Sequence, residues 1–211
     1  MKRLRVVVVA PFAPDAEGAL ENSYARAFRK SGAEVKTIST MPLFTRSRLG
    51  GHISPMIKAI QLENALRRDI QDWNPCLVAL VKGLGVLPKT IHFLRNKGIR
   101  VVNVFPDNPF EIARNSLLGS SIIPQLKLVD TAYVHDRRLV WQLSQLGINA
   151  NYLSFARDPD LQDPPHFPSN GNQTGIVFVG NPDEERIRYL SAVSDLGLRF
   201  DGGADPCRHH R

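Results

Sequence analysis

Asp107 and Asn108 stand between two prolines, directly after an apolar run that predicts a β-strand. Because each proline fixes its own backbone φ, the two polar side chains are held in a restricted orientation. A carboxylate held in this way can take a proton from a hydroxyl group or bind the hydroxyls of a sugar. A proline-braced turn with Asp107 as a local cap explains the same residues almost as well. We predict Asp107 as a catalytic residue and Asn108 as a substrate-binding one, with the turn as the alternative.

His135 and Asp136 follow another predicted strand. An imidazole titrates near neutral pH, so His135 is a second candidate for proton transfer. Consecutive residues of a strand point to opposite faces, and the two side chains therefore need not touch. Asp136 stands where the N-cap of the next helix is expected, and we predict that structural role for it. His135 is predicted as catalytic, with an ordinary strand-end histidine as the alternative.

Lys82 and Gly83 follow a third apolar run. A lysine at this position lies near the backbone amides of the next turn, and a glycine lets a ligand approach the main chain. The pair predicts binding of phosphate or sugar hydroxyls, although Lys-Gly is also a common exit from a strand. Ser23, in the first turns of a predicted helix, is expected to face a ligand or to be an ordinary residue near a cap. Gly180 and Asn181, which follow a later strand, complete the predicted binding residues.

Most of these residues share one position, immediately after a short apolar run, and helical segments separate the runs. This alternation predicts repeated βαβ units. Continuously apolar strands are buried on both faces, which is a property of parallel sheets, and ligands bind such sheets at the carboxyl ends of the strands. The predicted fold class is α/β, a doubly wound parallel-sheet, Rossmann-like domain. Its predicted strands are residues 4–10, 34–39, 76–81, 99–105, 131–135 and 149–154, and its predicted helices are residues 19–31, 54–73, 88–97, 121–129 and 137–146.

The chain divides into one complete predicted domain and the start of a second. Residues 1–157 hold the six predicted strands, and a domain of about 150 residues buries an adequate core. Residues 158–173 contain four prolines and show no periodicity, which predicts a linker. Residues 174–211 predict a strand, a helix and a short second strand of an incomplete domain. A strand at 175–179 left unpaired would favour homo-oligomerisation.

Composition limits the classes of function. The formal net charge of +7 favours anionic partners, but the Lys and Arg residues are scattered, so no nucleic-acid partner is expected. The fingerprints of dinucleotide enzymes, P-loop NTPases and α/β-hydrolases do not occur in the chain. No apolar run approaches the roughly 18 residues that span a bilayer, so no transmembrane segment is predicted.

The two cysteines, Cys76 and Cys207, do not make a disulfide framework, and a cytoplasmic location is predicted. Cys76 lies in an apolar run and is predicted to be a small core residue. Cys207 lies near His209 and His210, but the spacing matches no reliable set of metal ligands. We therefore predict no metal site and no cofactor.

Several short motifs occur in one order along the chain. They are VVAPF at 8–12, SYARAF at 23–28, PCLVALVKG at 75–83, VNVFPDNP at 102–109, AYVHD at 132–136 and IVFVG at 176–180. In their order and spacing they resemble the amino-terminal half of bacterial glycosyltransferases of the two-domain GT-B architecture, and the spore-maturation CgeB-like group in particular. The resemblance covers most of residues 4–196.

This resemblance implies transfer of a sugar from a nucleotide-sugar donor to an acceptor, without an obligatory metal. It places Lys82, Gly83, Asp107 and His135 on the acceptor side of the cleft and Gly180 in the first turn of the donor domain. The family tends to have a second acidic residue where this chain has Asn108. A complete enzyme of this architecture has about 150 further residues, so we expect a truncated chain with little activity of its own.

A non-catalytic Rossmann-like module is the alternative from a different class. Such a module would hold a saccharide or a nucleotide, or dock on a partner, and it predicts ligand binding without turnover. Nucleic-acid binding comes third because it rests on charge alone, and it predicts a steep loss of binding between low and moderate salt.

Overall fold

The computed structural model describes residues 3–12, 19–40, 55–115, 122–162, 177–179, 184–196 and 199–201. The chain forms two compact units, Met1–Gln162 and Asp163–Arg211. The strands of the first unit are β1 (Arg5–Ala10), β2 (Glu34–Ser39), β3 (Leu77–Val81), β4 (Arg100–Phe105), β5 (Thr131–Val134) and β6 (Ala150–Tyr152). Its helices are α1 (Leu20–Lys30), α2 (Pro55–Trp73), α3 (Pro88–Asn96), α4 (Pro109–Asn115), α5 (Ile122–Leu126), α6 (Arg137–Gln145) and α7 (Pro159–Gln162). Among the described helices, none is long and apolar enough to cross a membrane.

The six strands form one sheet in the order β2-β1-β3-β4-β5-β6, and every pairing is parallel. The strand order reverses between β1 and β3, which is the switch point of a doubly wound sheet. The predicted fold class is therefore confirmed. Because the strands are parallel, their carboxyl ends all lie at one edge, which we call the carboxyl edge.

Apolar side chains cover both faces of the sheet. Along β1, Val7 and Val9 belong to one buried cluster, while Val6 and Val8 belong to another on the opposite face. All four are fully buried, which explains why the run is apolar without alternation. The larger cluster joins the sheet to α2, α3, α5 and α6, and the smaller one joins it to α1. Each such burial contributes roughly 1.5–3 kcal/mol before the entropy cost, so the carboxyl edge rests on a well-packed base.

Two short helices were not expected from the sequence, and both begin with the same device. The side chain of Asn108 accepts a hydrogen bond from the Phe110 amide before α4, and that of Asp158 accepts one from the Asp160 amide before α7, each at 3.1 Å. In both helices a proline follows the capping residue, where its missing N–H costs nothing. The first five residues of the expected linker, 158–162, therefore lie in the first unit.

Cys76 lies outside the core. It immediately precedes β3, its side chain is exposed, and its Sγ lies 3.2 Å from the carbonyl oxygen of Arg5. The prediction of a core cysteine is wrong because β3 begins one residue later than the apolar run. Burial on both faces starts only within the strand.

The second unit contains a small parallel pair of strands. Its elements are β7 (Val177–Val179), α8 (Glu184–Ser191), a 3₁₀ turn (Ser194–Leu196) and β8 (Arg199–Asp201). β7 pairs with β8 in parallel through all three residues of each strand. The described part of the expected strand at 175–179 thus has one partner, and homo-oligomerisation stays a prediction.

Candidate functional site at the carboxyl edge

Three of the predicted site segments meet at the carboxyl edge because of the pairing register. The last residues of β4 and β5 pair with each other, and the last residue of β3 pairs with the next-to-last residue of β4. Lys82 and His135 are the first residues after β3 and β5, and Asp107 is the second residue after β4. The three residues therefore leave adjacent strands at nearly the same level.

Lys82 and Asp107 form an ion pair across this edge. The Lys82 Nζ lies 3.0 Å from the Asp107 Oδ2, and both side chains keep substantial contact with solvent. The backbone of Lys82 is fixed separately, since its N–H donates to the Val104 carbonyl at 2.9 Å. A positive and a negative group that the sequence places 25 residues apart are thus brought together where a ligand of this fold would bind.

Lys82 has a left-handed backbone, with φ of 64°. This conformation costs a residue with a Cβ about 1–2 kcal/mol, and bulky residues adopt it rarely. Asn74, with φ of 46°, is the other described non-glycine residue with positive φ; it follows the end of α2, where asparagine is common. No such local explanation applies to Lys82. Unfavourable backbone at a cleft edge is typical of functional positions.

Gly83 continues the left-handed turn with φ of 71°. A Cβ built on this residue would lie 2.7 Å from the Asn103 Nδ2, closer than real Cβ contacts. The glycine is therefore required by its backbone conformation and by the side chain beneath it. The sequence suggested a different reason, the approach of a ligand to the main chain, and that contact stays a prediction.

Asn108 has a structural role. Its Oδ1 accepts from the Phe110 amide at 3.1 Å, and its Nδ2 donates to the Glu111 Oε1 at 2.9 Å. Both ends of the side-chain amide are thus used to begin α4, with Asn108 as its cap. The predicted alternative gave the local cap to Asp107, whereas in the structure Asn108 has that role. Contact between Asn108 and a substrate stays a prediction.

His135 is half-buried at the end of β5. Its Nδ1 is buried and, within the described residues, has no hydrogen-bond partner. The imidazole lies against the Phe155 ring, with centroids 5.2 Å apart and planes at 32°. Asp136 accepts from the Arg138 amide at 2.7 Å, which confirms it as the N-cap of α6. One face of the imidazole is therefore packed against Phe155. Within the described residues, no hydrogen bond to Nδ1 fixes the tautomer of the ring.

The segment Leu153–Asp158 links this strand end to helix α1. The Leu153 N–H donates to the Val134 carbonyl at 2.9 Å, and Asp158 accepts from the Arg26 Nε at 3.0 Å and Nη2 at 2.7 Å. The hydrogen bonds from Arg26 and another from Ser23 lower the pKa of Asp158 and outweigh the opposing effect of desolvation. Arg26 also donates to the Ser23 Oγ at 3.0 Å. Ser23 thus helps to hold the segment, and its predicted contact with a substrate stays a prediction.

A groove of ≈ 180 Å³ lies between α1 and this segment. Its walls are mostly apolar, with Leu20 and Tyr24 on the helix and Leu153 and Ala156 on the segment. Burial raises the pKa of the Tyr24 hydroxyl. The groove extends the candidate site from the strand ends along α1, and nothing in the sequence pattern indicated it, because its walls are about 130 residues apart.

Two predicted residues lie outside the described part of the chain, Gly180 and Asn181. Among the residues that are described, no three His, Cys, Asp or Glu side chains lie together as a set of metal ligands. The site that the structure does describe consists of the Lys82–Asp107 ion pair, His135 on the neighbouring strand and the Leu153–Asp158 segment beside them.

Comparison with known proteins gives structural similarity without sequence similarity. No protein-family model and no curated protein matches the chain. A protein of Listeria monocytogenes assigned as a UDP-N-acetylglucosamine 2-epimerase matches with a TM-score of 0.67 and 11% identity over 99% of this chain and 64% of that one. The UDP-GlcNAc 2-epimerase of Neisseria meningitidis, bound to UDP-GlcNAc, matches with a TM-score of 0.58 and 10% identity over 96% of this chain and 67% of that one.

Sucrose-phosphate synthase of Thermosynechococcus elongatus matches with a TM-score of 0.59 and 12% identity over 96% of this chain and 71% of that one. Of the Listeria protein named above, the chain spans only about 64% of the length. At these identities the similarity concerns the fold. These neighbours are proteins of the GT-B glycosyltransferase fold, and the six-stranded α/β, Rossmann-like architecture of this chain matches theirs.

Proposed function

We propose that this chain is the acceptor-side part of a glycosyltransferase of GT-B architecture, of the CgeB-like group, that uses a nucleotide-sugar donor. The observation that carries the proposal is the Lys82–Asp107 ion pair at the carboxyl edge, with His135 leaving the adjacent strand. Support comes from the neighbours, one of which is bound to UDP-GlcNAc. The motif order of the sequence supports the transferase assignment.

The proposed chemistry is displacement at the anomeric carbon of the donor sugar. A bond forms between an acceptor hydroxyl oxygen and that carbon, while the bond from the carbon to the diphosphate oxygen breaks. The hydroxyl proton passes to a base on the cleft edge, and Asp107 is our choice for that base. His135, which follows the adjacent strand β5, is proposed as the second proton acceptor, or as a hydrogen-bond partner that orients the hydroxyl.

Lys82 has two proposed roles at this edge. Its ammonium holds the Asp107 carboxylate in place before the substrate arrives. When the donor diphosphate departs, a cation close to the developing negative charge stabilises the transition state more than the ground state. We propose that no obligatory metal takes this part, so that a chelator leaves turnover unchanged.

Variants of the two proposed catalytic residues test the function. In a complete two-domain form of the enzyme, Asp107→Asn should lower kcat about 10²–10⁴-fold in an assay of UDP release from a panel of UDP-sugars, and His135→Gln should lower it at least tenfold. Donor affinity should change little in both variants. Asp72→Asn is the matched control, since Asp72 is an exposed residue near the end of α2.

Each outcome of this assay leads to a different conclusion. Unchanged kcat in both variants would remove Asp107 and His135 from the mechanism. Binding of UDP-sugars without turnover would support the non-catalytic module. A change in the configuration of the sugar without an acceptor product would assign an epimerase activity instead, and unchanged turnover in Asp72→Asn validates the comparison.

A further inference from the structure

We propose that Asn103 and Gln125 are positioning residues, which hold the loop of residues 82–86 in the conformation that brings Lys82 to Asp107. The inference deepens the proposed function, and its ligand-binding test rests on that function. The structural test of the same inference does not depend on the proposed function. Neither residue lies at the surface, and neither was singled out by the sequence.

Asn103 is a polar residue on an apolar face of β4. It is fully buried, and it shares its side of the strand with Val101 and Phe105, which belong to the larger apolar cluster. Its Nδ2 makes a long hydrogen bond of 3.4 Å to the Lys82 carbonyl, while its Oδ1 is buried without a partner in the described part of the chain. A buried amide with an unpaired oxygen weakens a core, so stability does not explain this residue. The hydrogen bond from Asn103 to the loop explains it.

Gln125 holds the other end of the loop. It is fully buried on α5, and its Nε2 donates to the carbonyl of Val86. Side chains from two different elements, β4 and α5, therefore bind the carbonyls of the first and last loop residues. The loop also closes on itself, because the Val86 N–H donates to the Gly83 carbonyl at 3.1 Å.

Gly83 fits directly onto these two amides. The position of a Cβ on this residue lies 2.7 Å from the Asn103 Nδ2 and 3.1 Å from the Gln125 Oε1. The backbone thus lies against both side chains, with no room to move further toward the core. This support holds Lys82 in its left-handed conformation, from which the Nζ reaches the Asp107 carboxylate. Without it, the backbone of Lys82 should relax to an ordinary conformation, and the ion pair should separate.

The structural test uses variants that keep side-chain shape but remove the amides. Asn103→Leu and Gln125→Met should each raise the hydrogen-exchange rate of the Val86 amide about tenfold, while the exchange of core strand amides stays unchanged. Thr90→Val is the matched control, because Thr90 Oγ1 is another buried polar atom, and within the described residues it makes no hydrogen bond, to the loop or elsewhere. It should leave the Val86 rate unchanged. If Asn103→Leu does not fold, Asn103→Ala serves the same comparison.

The ligand test measures coupling between Asn103 and Lys82. With UDP-GlcNAc as the probe, Asn103→Leu should weaken binding about fivefold in the wild-type background and should have no further effect in Lys82→Ala. Equal effects of Asn103→Leu in both backgrounds would contradict action through Lys82. Unchanged Val86 exchange in both amide variants would overturn the proposal. If the wild-type chain binds no UDP-sugar, the proposed function fails, and the exchange result still decides the positioning role.

Discussion

Two groups of charges in the first unit differ in almost every physical respect. Glu63 of α2 contacts the Arg67 Nη2 and the Lys89 Nζ of α3, each at 2.8 Å, and its side chain is 5% exposed. The Lys82 and Asp107 side chains at the carboxyl edge are 30% and 44% exposed and have one ion pair between them. One carboxylate is buried with two cations, and the other is exposed with one.

The buried group has the character of a structural contact. Burial alone would raise the pKa of Glu63, but hydrogen bonds from Lys89 and Arg67 outweigh it, and the net pKa is lowered. Arg67 also lies 4.0 Å above the Phe93 ring, so its guanidinium joins α2 to α3 by a cation–π contact as well. Every charge in this group therefore contributes to the packing of two helices.

The exposed pair cannot be explained in the same way. An exposed ion pair contributes about 0–1 kcal/mol, whereas the left-handed backbone of Lys82 costs about 1–2 kcal/mol. The pair does not offset the strain of its own backbone. The charges between α2 and α3 therefore serve stability. The placement of the charges at the carboxyl edge needs a different reason, and we propose that this reason is ligand binding.

The largest effect on stability is expected at Gly83. Gly83→Ala should lower the free energy of unfolding by about 3 kcal/mol, because the new methyl group meets Asn103 and the left-handed backbone is strained. Gly32→Ala is the matched control, with φ of 87° and no atom near the Cβ position, and it should cost about 1 kcal/mol. Urea unfolding measures both. Equal losses would show that strain alone, and not contact with Asn103, makes the glycine necessary.

Glu63→Gln should come next, with a loss of about 2 kcal/mol at neutral pH and no change in ligand affinity. Since the folded pKa lies below the ordinary value of 4.5, this contribution is present above that pH and is lost as the pH falls through the folded pKa. The variant should therefore lose less stability on acidification than the wild type. Asp69→Asn, which breaks the exposed pair with Lys36, should cost at most about 0.5 kcal/mol. A loss as large as that of Glu63→Gln would remove the distinction between buried and exposed pairs.

Lys82→Gly should change the free energy of unfolding by less than about 1 kcal/mol, because relief of the left-handed strain opposes the loss of the ion pair. Binding of UDP-GlcNAc should nevertheless weaken at least fivefold. Thermal unfolding and titration calorimetry on the same preparation measure the two quantities. A clear loss of stability with unchanged affinity would place Lys82 with the structural charges.

The sheet could be predicted from the sequence because each buried strand is a short apolar run, and only strand ends differ by a residue or two. The two missed helices had a recognisable signal, an Asn-Pro or Asp-Pro step at Asn108 and Asp158, in which the first residue caps and the proline begins the helix. From the sequence alone, the same prolines predict a turn and a linker.

Less of the site could be predicted, because its contacts depend on register and on distant segments. Lys82 and Asp107 meet only because β3 and β4 end at nearly the same level. The Arg26–Asp158 pair joins residues 132 positions apart, which no local pattern indicates. Asn103 did carry a signal, since it is the polar residue inside the apolar run VVNVF of β4. The role of Asn103 can be recognised only from its position against Gly83, which the structure shows.

The proposed ligand site at the carboxyl edge is tested most directly by an NMR titration of the ¹⁵N-labelled chain with UDP-GlcNAc and with UDP. We predict that amide shifts change first at residues 82–86, at Asp107 and at His135, and that these changes weaken in Lys82→Gly. Shift changes confined to residues around Glu63, or no changes in any part of the chain, would contradict the assignment of the carboxyl edge as the ligand-binding site.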